Sequence, residues 1–150
     1  MAVSYLSLCY NLCIIIITPR LDSLGVYIID ITRITRTDYL NSIAKNTTYV
    51  TSFNSNANEA VLYNINGYKM VILNLSFRII SKISANTVYD LFTLPNDLCP
   101  TGNKPLIGGR GLDLVECIAY VHAGTKTIKF KTASDTAADS ECAVRGVYIL

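Results

Sequence analysis

The sequence predicts an all-β fold of antiparallel strands, a sandwich or a barrel, from three observations. Val, Ile, Thr and Tyr make up roughly a third of the 150 residues, and these types suit a half-buried pleated surface better than a helix. Short runs of alternating apolar and polar residues recur with turn-forming residues between them. No amphipathic helical pattern of about 10 to 15 residues alternates with those runs, which argues against a parallel α/β sheet.

Taken in order, residues 5–17 are rich in apolar groups, with Ile14, Ile15, Ile16 and Ile17 ended by Thr18 and Pro19. The run is too short to span hydrocarbon and contains Asn11. It also lacks the basic flank and small-residue cleavage site of a signal peptide. A strand or short helix buried against a neighbouring chain, or a segment linking to a longer parent protein, is expected there. Residues 25–31 read as a strand. Residues 32–45 show Ile34, Leu40 and Ile43 without a clean period, leaving a short helix and an irregular arm both open. Residues 47–53 alternate weakly and read as a strand, and the Asn-Ser-Asn-Ala-Asn of residues 54–58 reads as a loop.

The clearest local signal is Asn66-Gly67 between two apolar runs, because both residues tolerate the positive φ of a type I′ hairpin turn. In the second run Val71, Leu73, Leu75 and Phe77 share one face, predicted as core. Tyr68, Met70, Ile72, Asn74 and Ser76 share the other, fit for solvent or a partner subunit. Residues 87–94 are extended up to Pro95, and a long loop follows through Pro100, Gly102 and Pro105. Gly108, Gly109 and Gly111 around Arg110 read as a loop needing positive φ. Residues 114–122 and 125–132 are strands joined by a turn at Ala123-Gly124, residues 133–140 a loop, and residues 143–150 a closing strand.

Composition excludes several functions. Thirteen basic against eleven acidic residues leave a net charge of +2, too balanced to hold a nucleic-acid backbone. Charged residues are only 16%, against the usual quarter or so. Ser, Thr, Asn and Tyr must therefore supply the polar surface, as suits neutral polar ligands such as sugars, or burial in an oligomer. The five cysteines, at 9, 13, 99, 117 and 142, are odd in number and unevenly spread, which argues against a disulfide framework. Cys9 and Cys13 have no matching metal pair downstream, and buried thiols in a reducing compartment are expected.

Catalytic readings fare poorly. The Gly108 to Gly111 stretch lacks the Gly-Lys-Ser/Thr ending of a nucleotide loop. Asp90, Asp97, Asp113, Glu116, Asp135, Asp139 and Glu141 fall mostly in loops, where Asp serves turns, rather than as a facing pair for glycoside hydrolysis. His122 is the only histidine, with no signature serine or cysteine nearby for a nucleophilic triad. No enzyme activity, cofactor or metal is expected. Among ten tyrosines and no tryptophan, Tyr39, Tyr49, Tyr68, Tyr89 and Tyr120 are candidate rings for stacking on sugar faces. Arg110 is a further candidate contact. The expected ligand-binding set is Tyr89, Arg110, Tyr120 and Tyr68.

From Glu59 onward the order of features resembles the C-terminal head (receptor-binding) domain of phage tail-fibre and baseplate receptor-binding proteins. The residues that carry it are the hairpin Asn66-Gly67-Tyr68 with its alternating strand, then Leu94-Pro95-Asn96-Asp97-Leu98-Cys99-Pro100. The strand-turn-strand from Val121 to Phe130 and the ending Val144-Arg145-Gly146-Val147-Tyr148 complete it. The resemblance covers about 60% of the chain. It has no equivalent for residues 108–111, and residues 1–45 do not map onto a shoulder or coiled stalk.

It implies an antiparallel β-sandwich, jelly-roll-like and trimeric. Residues 1–45 would be an N-terminal arm or shoulder segment, and 46–150 the head. It also implies a non-enzymatic attachment domain binding cell-surface saccharide at a tail tip. The partners would be a homotrimer and other tail or baseplate proteins, without nucleic acid or membrane insertion. The place would be the virion, assembled in the host cytoplasm. The alternatives are a purely structural component of a virion or injection device and, further off, a polysaccharide-degrading enzyme.

Overall fold

The structure, a computed structural model, describes residues 5–7, 13–21, 27–54, 57–111 and 115–150, with side chains from residue 33 onward except at 115 and 116. The protein is all-β. Its strands are β1 (Tyr5–Ser7), β2 (Cys13–Leu21), β3 (Tyr27–Asp38), β4 (Ala44–Lys45), β5 (Glu59–Ile65), β6 (Tyr68–Arg78), β7 (Tyr89–Thr93), β8 (Lys104–Arg110), β9 (Val115–His122), β10 (Thr127–Thr132) and β11 (Glu141–Ile149). All pairings are antiparallel, in the order β1-β2-β3-β5-β6-β11-β8-β9-β10-β7-β4. A sandwich needs two sheets; the described strands form one, curled into half a barrel, and its own curvature supplies the opposite wall. Among the described residues no helix is long and apolar enough to cross a membrane.

The core fills the inside of the curl. Val71, Leu73, Leu75 and Phe77 are all buried, as their shared face predicts. The ring of Phe77 on β6 meets Phe92 on β7 at 4.9 Å and Phe130 on β10 at 6.0 Å, both edge to face. These strands are far apart in the sheet order, so the aromatic contacts mark where the two walls close. Residues 46–54 span the same gap. Asn46 donates its N–H to Leu91 on β7, Asn54 donates to Ser76 on β6, and Phe53 bridges to Phe77.

Residues 47–53 are therefore not the strand their alternation suggests. The Asn46 side chain accepts the N–H of Thr48, and its carbonyl accepts those of Tyr49 and Val50, folding the segment into a tight turn. The ambiguity over residues 32–45 resolves into the end of β3, one 3-10 turn (Leu40–Ser42) and β4. Ile34–Asp38 of β3 pair with β5, and Ile43 is buried in the core. The sheet is thus continuous across position 45. The rest of β3 pairs with β2 and runs past the β5–β6 turn.

At that turn Asn66 and Gly67 have φ of 51° and 93°, as a type I′ hairpin requires. The Gly108 to Gly111 stretch is corrected more sharply. Gly108, Gly109 and Arg110 belong to β8, and only Gly111, at φ 60°, has positive φ. Gly108 is required by close approach: a Cβ there would sit 2.9 Å from both Cβ and carbonyl O of Cys117 on β9. The β9–β10 turn is formed by residues 123–126, and its left-handed residue is Lys126 (φ 57°), not Gly124. Cys99, Cys117 and Cys142 are free thiols; Cys9 lies outside the described residues.

Candidate functional site

Across β6, β11 and β8 one row of the sheet's outer face carries almost no side chain, and on β9 it continues to Glu116. Ser76 on β6 stands opposite Ala143 on β11, and Ala143 stands opposite Gly109 on β8. The neighbouring rows carry long side chains, Asn74, Arg145 and Ile107 on one side and Arg78 with Glu141 on the other. A groove of about 290 Å³ results, running across the strands. A Cβ on Gly109 would meet nothing within 4 Å, so this glycine leaves open space where Gly108 avoids a clash. A second depression, of about 350 Å³, adjoins it through Gly111 and Glu141 and is also lined by Arg110 and Asp135.

The walls carry charge of both signs. Arg145 donates from Nε to Asn74 Oδ1 at 3.0 Å, which fixes the plane of its guanidinium. Glu141 pairs with Arg78 at 3.1 Å. Among the described side chains the lining thus carries one guanidinium, Arg145, and one carboxylate, Glu141. A fork of N–H donors suits hydroxyl and oxyanion groups, and the exposed Ile107 offers an apolar rung beside them. Glu141 lines the groove, and Glu116 on β9 stands opposite Gly109 in the same row. Beneath the floor, burial, reinforced by neighbouring Cys117, pushes the Cys142 thiol up to about 12.

The four residues expected to bind ligand do not converge. Tyr68 is strongly exposed on the outer face beside the Asn66-Gly67 turn. Tyr120 is half-buried on the same face, with β11 and β8 lying between β6 and its own strand β9. Arg110 donates from Nη1 to the Asp135 carbonyl (2.8 Å) and Thr136 Oγ1 (3.0 Å), tying down residues 133–140. Tyr89 packs edge to face on Tyr49 at 5.0 Å, and its phenol oxygen accepts the Ser84 N–H, a bond that lowers its pKa. Tyr39 donates to Asp97. His122 accepts the Thr125 N–H through Nδ1, and the Thr125 hydroxyl leads through Thr127 to Asp90.

Sequence reasoning missed Ser76, Gly109, Ala143 and Arg145. Their only signal was a Gly-Gly pair inside what proves to be a strand, a known mark of close backbone or ligand approach.

Fold and groove together define an all-β protein with an open, shallow surface site on the outside of a curled sheet. No family model, no curated protein and no solved structure matches the chain.

Proposed function

We propose that this chain is a non-enzymatic attachment domain that takes a saccharide in the groove across β6, β11 and β8. The observation that carries the reading is the groove itself. Backbone and small side chains make its floor, Ile107 gives an apolar rung, and Arg145 is oriented on its wall by Asn74. Open sites of this kind meet a sugar through one apolar face and a few directional hydrogen bonds, and each contact is weak. Useful avidity then comes from repetition. A homotrimer at the tip of a phage-type tail fibre or baseplate, as the resemblance implies, supplies three copies. In such a head the two walls of the curl would stand for the two sheets of a sandwich.

A glycan array tests this directly. The wild-type chain binds a subset of bacterial surface saccharides without releasing cleavage products. Gly109→Leu, whose side chain fills the groove at a position with ordinary φ, weakens that binding tenfold or more with an unchanged melting temperature. An array on which the wild type binds nothing, or on which Gly109→Leu binds as well, overturns the reading.

A further inference from the structure

The same outer face is apolar well beyond the groove. Ile107 on β8 stands directly opposite Ile118 on β9, and Val147 and Ile149 on β11 stand opposite Ile72 and Met70 on β6. Tyr68 is 76% exposed, Ile107 74%, Ile118 and Val147 58% each, and Ile149 51%. Together these five expose on the order of 600 Å², the upper end for the largest patch on a monomer. It is most of the roughly 800 Å² that one side of a stable interface buries.

The two flanks of this patch carry opposite charge. On the β3–β5 side, Arg36 pairs with both Asp38 (3.1 Å) and Glu59 (3.4 Å), leaving one excess negative charge among these described side chains. On the β10 side, Lys129 pairs with Asp90 (2.7 Å) while Lys131 adds a second cation, leaving one excess positive charge. A second copy matches this pattern when the copies are related by an axis parallel to the strands, since only then does a negative flank meet a positive one. An in-plane axis across the strands would set like flanks together. The face lies on the outside of a curl and is convex, so two copies would touch only along its crest. Three around an axis use both flanks of every copy.

We propose that the outer face of β5, β6, β11, β8 and β9 packs against further copies of this chain around an axis parallel to the strands. The Asp38–Glu59 flank of each copy lies beside the Lys129–Lys131 flank of the next. This rests on the multimeric part of the reading above; the interface borders the groove at Ile107 and Arg145, and its test uses residues outside the groove lining. The groove row lies at one end of the apolar rows, so the packed copies carry it at the end of their seam.

Light scattering of the full chain tests the proposal. The wild type has the mass of a trimer at tens of micromolar. Ile118→Asp combined with Val147→Asp gives a monomer with unchanged far-UV circular dichroism, since both side chains are already more than half exposed. Lys131→Glu raises the dissociation constant at least tenfold, and adding Asp38→Lys restores it. A monomeric wild type overturns the inference, as does an oligomer indifferent to the paired Asp substitutions. A chain that binds no glycan, yet loses its oligomer on those substitutions, upholds this interface and sinks the saccharide reading alone.

Discussion

At the scale of single residues, two adjacent glycines do opposite jobs. A methyl group on Gly108 would press on the Cβ and backbone of Cys117, and the cross-strand backbone cannot move aside cheaply. Gly108→Ala should therefore cost about 1–3 kcal/mol by overpacking, while Gly109→Ala, with nothing within 4 Å, should leave the urea midpoint unchanged. Equal costs would show that neither glycine is set by its neighbours. Asp90 makes a second residue-level case. Burial opposes its charge, but hydrogen bonds from Lys129 and Thr127 outweigh burial and hold its carboxyl below the usual range. The unfolded chain then binds this proton more readily than the folded one. Its stabilisation is complete above the unfolded pKa, near 4, and is lost as pH falls through the lower folded value. Asp90→Asn should flatten part of the acid-induced drop in stability. With the side chain 47% exposed, solvent screening limits the effect to under about 1 kcal/mol. Asp135, held down by Lys82 and the Ala85 N–H, keeps its share of the drop.

At the scale of elements, the sequence is legible wherever a local rule is strong. Asn66-Gly67 sets a two-residue turn because both residues accept positive φ, and Asn66 also docks it: its Oδ1 accepts the Arg33 N–H, and its own N–H reaches the Arg33 carbonyl. Gly67→Ala forces a Cβ into φ 93° and should cost roughly 1–3 kcal/mol. Amide exchange should speed up in β5 and β6 ahead of β9 and β10, and uniform acceleration would mean the turn is not a local lock. Alternation likewise located β6, β9, β10 and β11. It failed at residues 47–53, where the side chain of Asn46 captures the backbone, and at residues 108–110, where glycine marks close strand approach instead of a turn. The groove was invisible for a related reason. Ser76, Gly109 and Ala143 are separated by more than thirty residues each, and only the register of β11 between β6 and β8 sets them in one row.

At the scale of the whole molecule, the curl is what no local pattern encodes. Strand order jumps from β6 to β11 and from β11 to β8, so the chain must bring its last strand between earlier ones before the inner face is covered. Non-local closure of this kind predicts slow folding and one cooperative transition, because neither wall has a core without the other. Phe77 is the residue on which that depends most. It sits between the walls against Phe92 and Phe130, and its backbone bridges to Phe53. Phe77→Ala should cost about 3–5 kcal/mol, a large share of the 5–15 kcal/mol typical of a domain. If the half-barrel is a single unit, the loss lowers the urea midpoint equally by far-UV circular dichroism and by tyrosine fluorescence. A variant whose tyrosine signal collapses well before its strand signal would instead mean that the pairings of β8, β9 and β10 persist without the opposing wall, and that Phe77 joins two separable sheets.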